Sequence, residues 1–330
     1  MERDHKLDFL RALAIIGVLV IHSAERYAHS EIEGVIGGWF ALVARPSIAI
    51  FLFVSGALFK KGQDISYLKH RLKRVLYPYL VFSTLALAYK LGFNLIGDMY
   101  DTFLRIFTAG TFNIYFFVFV IVCIYIIIFA LDKSGILEKH IASLLLISLI
   151  INLLHASYFK QICDVWGVKD KWKDYYYLRS LLIWLPYYLF GIYYRSFELE
   201  KIVFENRILV RVVWVSTFAF YSFLHFIQIG NIDGYNSVIG TIYSLTTILF
   251  LLTFDFKNQI ITFISKISYF LYLCHIFFVY ALRDFARNLE IVLPFGFGLV
   301  SLILSFVGPL LVYVIAKLVF KSRSYYTIGA

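Results

Sequence analysis

Apolar residues in this chain come in long runs rather than in the spaced stripes of soluble helices. Each run approaches the roughly 20 residues that a bilayer-spanning helix needs. The clearest is Phe112–Leu131, twenty residues without a charge. Leu7–Ala24, Val75–Gly92, Ile141–Tyr158, Leu178–Tyr194, Ile208–Ile229, Tyr235–Phe254, Ile267–Leu282 and Ile291–Ala316 follow the same pattern. One more run ends at Lys60, and Arg45-Pro46 interrupts its beginning. Proline fits the first turn of a helix, where its missing N–H costs nothing. The pattern therefore predicts a helix from about Pro46 and leaves Val35–Ala44 as an interfacial or re-entrant piece. The expected fold is all-α, a polytopic integral membrane protein with ten transmembrane helices.

Ten spans put both termini on one side, and the basic residues say which. With the N-terminus cytoplasmic, 20 of the 31 lysines and arginines lie inside, which favours N-in/C-in. The loop Phe159–Tyr177 runs against that bias, because it carries Lys160, Lys169, Lys171 and Lys173 and must face outward.

Composition agrees with the pattern. The chain is 61% hydrophobic, 19% aromatic and only 16% charged, with a mean hydropathy of +0.79. About a quarter of the residues in an ordinary globular domain are charged, so disorder and coiled coil are excluded and a soluble enzyme nearly so. The net charge of +10 would suggest nucleic acid in a soluble protein. Here the basic residues are topology signals, and no nucleic-acid partner is expected. Cys123, Cys163 and Cys274 lie far apart, with no CxxC and no His pair at metal spacing, so neither a disulfide framework nor a metal site is expected. The first helix carries Arg11 and His22 and lacks a small-x-small cleavage pattern, so it reads as part of the mature protein rather than a signal peptide. No repeat or long loop is visible. Residues 1–330 are expected to form a single transmembrane domain with no fused extracytoplasmic domain.

Polar groups inside spans are costly and are the first candidates for chemistry. Arg11 and His22 are eleven residues apart, close to three full helical turns, so they share a face about 16 Å apart along the axis. Two readings stay open: a snorkelling arginine with a buried hydrogen-bonding histidine, or a functional pair. Ser55-Gly56 is either a small-residue contact between helices or a place where a ligand approaches backbone and hydroxyl. The basic hairpin Lys60–Arg74 is a topology determinant. If the next helix extends back through Arg71 and Arg74, the two also form a fork for phosphates. Ser268, Tyr272 and His275 form a polar stripe on one helix face, lining either a cavity or a helix interface. Glu25 can orient His22 as a triad carboxylate does, or be a solvated loop charge.

In order, these elements are Arg-x10-His (Arg11…His22), Phe-x-Phe-x-Ser-Gly (Phe51–Gly56), Arg-x-x-Arg (Arg71…Arg74, then Pro78) and Ser-Tyr-x-x-Tyr-Leu-x-His (Ser268–His275). The set resembles the acyltransferase-3 family of integral-membrane O-acyltransferases, the type that acetylates bacterial surface glycans. Leu52 stands where a second Phe is frequent, and Ala57 where an aromatic residue is usual.

The resemblance implies an O-acetyltransferase of the bacterial cytoplasmic (inner) membrane. Acetyl-CoA would be the acyl donor, with no bound cofactor, and a glycan or lipid-linked sugar the acceptor. Membrane lipids would surround it. It implies catalysis at His22 with Glu25, donor binding at Arg11, Arg71 and Arg74, and a pocket lined by Ser55, Gly56, Ser268, Tyr272 and His275. Burial keeps a histidine neutral, as a general base for a sugar hydroxyl must be. The rival class is a polytopic glycan exporter or polymerase. Exporters often show paired repeats and broken helices, which this sequence lacks.

Overall fold

A computed structural model describes residues 4–24, 31–92, 105–227, 237–288 and 297–320. The described residues contain helices and no strand, and seven helices are long and apolar enough to cross a membrane. All-α architecture is what a bilayer demands, because a helix satisfies every backbone polar group internally.

The helices are α1 His5–Ala24, α2 Glu31–Ala44, α3 Ser47–Ala57, α4 Ile65–Gly92, α5 Phe116–Lys133, α6 Ile136–Val165 and α7 Asp170–Arg179. They continue as α8 Leu181–Ser196, α9 Leu199–Glu205, α10 Arg207–Phe226, α11 Val238–Leu252, α12 Gln259–Asn288 and α13 Phe297–Phe320. The predicted segments overlap these helices, although parts of Ile208–Ile229, Tyr235–Phe254 and Ile291–Ala316 lie outside the described residues and Leu178–Tyr194 crosses from α7 into α8; three further differences of extent stand out. Val35–Ala44 lies in α2, a regular helix, and the Arg45-Pro46 turn separates it from α3, so Gly34–Ala57 counts as one apolar span. The Pro46 carbonyl accepts from Ile50 N at 2.8 Å and so opens α3. The loop Phe159–Tyr177 is mostly helical. α6 runs on to Val165, and α7 begins at Asp170, where Lys173 pairs with Asp170 at 2.6 Å and also with Asp164. Finally, α4 starts at Ile65, almost three turns before its hydrophobic run at Val75, and so takes in Arg71 and Arg74.

Contacts divide the chain into two compact units, with the boundary inside α3. The first comprises Met1–Val54 and Phe197–Ser324. Its centre is α1, which packs on α2, α12 and α13, while α10 packs on α11. Leu42, Tyr221 and Tyr243 form a fully buried knot between α2, α10 and α11, and Trp39 Nε1 donates to Ser222 Oγ at 3.2 Å. At Gly17 a Cβ would overlap Ser47 Oγ, so glycine lets α1 pass the α2–α3 turn with the Ser47 hydroxyl held on the Ala44 carbonyl.

The second unit is Ser55–Ser196. Here α5 is central, against α4, α6 and α8, and α6 packs along α8. Asp64 opens α4, its Oδ1 accepting from Tyr67 N at 3.2 Å and Ser66 Oγ at 2.8 Å, a standard N-terminal cap. Many large apolar side chains on α6, α10 and α13 are exposed, as expected of surfaces meant for lipid rather than water.

Candidate active site

In the first unit, α1 is unbroken from His5 to Ala24, so the eleven-residue spacing keeps Arg11 and His22 on one face. Both are half-buried. His22 faces α12, where its ring lies 5.5 Å from the ring of His275. Two motifs more than 250 residues apart in the chain thus meet in one place. His275 is fully buried, and its Nδ1 lies 3.0 Å from the carbonyl oxygen of Leu271. Tyr272 is buried beside it, with ring centroids 6.3 Å apart, and stacks in turn on Tyr269. Ser268 is buried as well and donates to the Ser265 carbonyl at 2.9 Å.

The same interface holds a polar contact that sequence reasoning missed. Asp8 is buried in α1 and accepts from Ser265 Oγ at 2.7 Å, joining the lower part of α1 to α12. The signal was present, since Asp8 is an ionisable residue within the predicted first span. Glu25 lies outside the described residues.

In the second unit, Arg71 is half-buried and ringed by hydroxyls. Its Nη1 donates to Tyr67 Oη at 3.3 Å and Tyr188 Oη at 3.2 Å. Its Nη2 donates to Ser55 Oγ at 3.1 Å, Ser55 O at 3.3 Å and Tyr125 Oη at 3.3 Å. Ser55 Oγ and Tyr125 Oη are themselves 3.0 Å apart, and the guanidinium sits over the Tyr125 ring at 4.2 Å. Four helices converge here: α3, α4, α5 and α8. Arg74, one turn further along α4, is exposed. Gly56 makes this convergence possible. A Cβ there would overlap the Tyr188 carbonyl oxygen, so only glycine lets α3 lie this close to α8.

Arg71 and Ser55 were singled out from sequence, but the three tyrosines were not. Tyr125 sits in the charge-free run Phe112–Leu131, where an isolated hydroxyl carries little signal. Among the described residues no group of three or more His, Cys, Asp or Glu is gathered as a metal site, and the three cysteines are free.

Long apolar helices with polar groups at helix interfaces define a multi-pass membrane protein. The acyltransferase-3 family model, described as an acyltransferase domain, matches residues 4–314, and the chain belongs to this family. The match runs through both units. No curated protein and no solved structure matches the chain. The protein is a membrane acyltransferase.

Proposed function

We propose that the protein transfers acetyl from cytosolic acetyl-CoA to a hydroxyl of a cell-surface or lipid-linked glycan, an O-antigen, capsule or related polysaccharide unit. It works in the bacterial cytoplasmic membrane, with ten spans and both termini inside. The excess of basic residues on that side supports this topology.

The observation that carries the reading is the position of His22: a titratable group in the last turn of α1, on the Arg11 face, against His275. In this reading Arg11, Arg71 and Arg74 bind the donor's phosphates. Guanidinium groups suit that task through paired hydrogen bonds. The pantetheine arm carries the thioester inward. His22 takes the proton of the acceptor hydroxyl, whose oxygen forms the ester bond to the acetyl carbon as the C–S bond breaks. Glu25 orients the imidazole. Ser55 and Gly56 line the donor's path, and Ser268, Tyr272 and His275 surround His22.

The test uses sealed membrane vesicles of known orientation. Labelled acetyl-CoA should be consumed only from the cytoplasmic face, and label should appear on the acceptor as an ester released by mild base. His22→Ala should abolish the label while the protein still inserts and accumulates, and His22→Gln should separate hydrogen bonding from proton transfer. Mass spectrometry of surface glycans from cells with and without the gene identifies the acceptor. A glycan exporter would move glycan without acetyl-CoA and leave no ester, and that result would sink the acetyl-transfer reading.

A further inference from the structure

Arg71 brings a charge into a helix interface, and among the described residues no carboxylate pairs with it. A charge in that position ordinarily has a partner of opposite sign. Its surroundings are instead four hydroxyls, those of Ser55, Tyr67, Tyr125 and Tyr188, and each oxygen accepts from the guanidinium. Each hydroxyl also carries one proton that needs an acceptor, and a guanidinium has none to offer. Ser55 and Tyr125, 3.0 Å apart, satisfy one proton between them, whichever of the two donates. Three O–H groups are left: Tyr67, Tyr188 and one member of the Ser55–Tyr125 pair. Among the described residues no acceptor meets them. Tyr67 has a further demand on its oxygen, which also accepts from Lys60 N at 3.3 Å. Tyr188 is 0% exposed, so bulk water does not reach its proton, and a buried donor without an acceptor is unfavourable. Arg71, Ser55, Tyr67 and Tyr125 are only half-buried, which leaves the group accessible to a ligand.

One cation with three unused O–H donors is complementary to an anion that has several acceptor oxygens. A carboxylate offers two oxygens in one plane. A phosphoryl group offers two or three unesterified oxygens arranged tetrahedrally, which suits donors arriving from the separate helices α3, α4, α5 and α8. We infer that Tyr67, Tyr125 and Tyr188 are phosphate ligands. With Arg71 and Ser55 they form a cup for one phosphoryl group, to which the guanidinium supplies charge and the three unused O–H groups supply hydrogen bonds. The inference rests on the reading of Arg71 as a donor-phosphate site and deepens it by assigning the tyrosines, which no sequence motif marked. Two molecules carry the required chemistry, the donor and a phospholipid headgroup, and the experiment separates them.

Binding is measured on the full-length protein in dodecyl maltoside, a detergent without phosphate. The probes are CoA, its phosphate-free fragment pantetheine, and a short-chain phosphatidylglycerol. CoA should bind and raise the unfolding midpoint, and pantetheine should do neither. Tyr188→Phe keeps the ring and removes only the hydroxyl. It should weaken CoA binding about 10-fold or more, the scale of one hydrogen bond to a charged acceptor, and shrink the CoA-induced rise in midpoint. The ligand-free midpoint should change little, because the variant loses an unsatisfied donor along with one acceptor for Arg71. Tyr67→Phe and Tyr125→Phe should each weaken CoA binding as well.

Unchanged CoA affinity in the Phe variants, with or without a lower ligand-free midpoint, overturns the inference and leaves the hydroxyls as fasteners between helices. If Tyr188→Phe fails to accumulate, Tyr67→Phe at its half-buried position decides. Phosphatidylglycerol that binds only when the tyrosine hydroxyls are present, in a protein that ignores CoA, supports the cup and gives it to a headgroup; the donor-site reading of Arg71 then falls. Binding of neither phosphate carrier overturns the inference. No turnover is measured, so a failure to transfer acetyl in vesicles counts against the acetyl-transfer reading and leaves the cup to be decided by these affinities.

Discussion

Two arginines in the second unit face the same problem and solve it differently. Arg179, at the end of α7, is only 7% exposed, and its acceptors are mostly backbone. It donates to the carbonyls of Thr108 at 2.8 Å, Tyr175 at 3.1 Å and Ala109 at 3.3 Å, and to Asn113 Oδ1 at 3.2 Å. Its guanidinium lies 3.5 Å from the centre of the Tyr175 ring. Arg71 instead donates to four hydroxyls and one carbonyl. A carbonyl oxygen can only accept, so the nest around Arg179 has one arrangement and is complete. A hydroxyl can turn from accepting to donating. The shell around Arg71 can therefore present O–H groups to an anion beside the cation without unfolding. Arg179 reads as a fastener of the 108–113 segment, and Arg71 as a cation kept ready for a ligand.

This contrast orders the expected effects of mutation. Arg179→Ala should be the most damaging, because it takes this donor from three backbone carbonyls at once, two of them in buried contacts. The cost should exceed about 3 kcal/mol, read as a lower unfolding midpoint in detergent. Lysine should rescue it poorly, since one ammonium cannot span acceptors spread around a planar fork. If Arg179→Ala were as stable as the wild type, the contrast with Arg71 would collapse.

Arg71→Ala should show the reverse balance: a protein that still accumulates but uses acetyl-CoA poorly. Loss of one charge-assisted contact costs about 1.5–3 kcal/mol, roughly 10- to 150-fold in donor affinity. Arg71→Lys should recover only part of this. Unchanged donor binding in the purified Arg71→Ala, Arg74→Ala double variant would return the hairpin to a role in topology alone.

Tyr125→Phe removes one hydroxyl from the Arg71 shell and keeps the ring beneath the guanidinium. A stability change of about 0.5–1.5 kcal/mol is expected, with a measurable loss in donor affinity. A stability loss without any change in donor affinity would show that the hydroxyl shell only fastens helices.

The smallest effect concerns the start of α4, which carries Tyr67 and Arg71. Hydrogen bonds from Ser66 and the Tyr67 amide hold the Asp64 carboxyl below its ordinary pKa of 3.8. A folded-state pKa below the unfolded one contributes stability above the unfolded value, and that share is lost as pH falls through the folded value. Acidifying below about pH 4 should therefore loosen the cap slightly. Asn also caps helices but does not titrate, so Asp64→Asn should keep the cap and lose this part of the acid sensitivity. Identical pH profiles for the two proteins would remove Asp64 from the account.

How much of this was legible beforehand depends on whether a feature is local. Hydropathy over some 20 residues decides whether a segment can leave water, so the long apolar helices could be read directly, Phe112–Leu131 most clearly. Helix ends were less legible. The extension of α4 back to Ile65 depends on the Asp64 cap, and the continuation of α6 to Val165 runs through polar residues that hydropathy alone scores as loop. The spacing of Arg11 and His22 fixed their common face, because helical periodicity is set by the backbone.

The sequence by itself determined the membrane class, the helices and the polar groups that stand out against them. Only the tertiary structure decided which of those groups meet. His22 meets His275, and Asp8 meets Ser265, because α1 packs on α12. Arg71 collects Tyr67, Tyr125, Tyr188 and Ser55 because Gly56 lets α3 and α8 close around it. The physical reason is that lipid supplies no hydrophobic drive between helices, so the choice of neighbour falls to close packing and buried hydrogen bonds. Those are properties of pairs of residues far apart in the chain, and no single stretch of sequence encodes them.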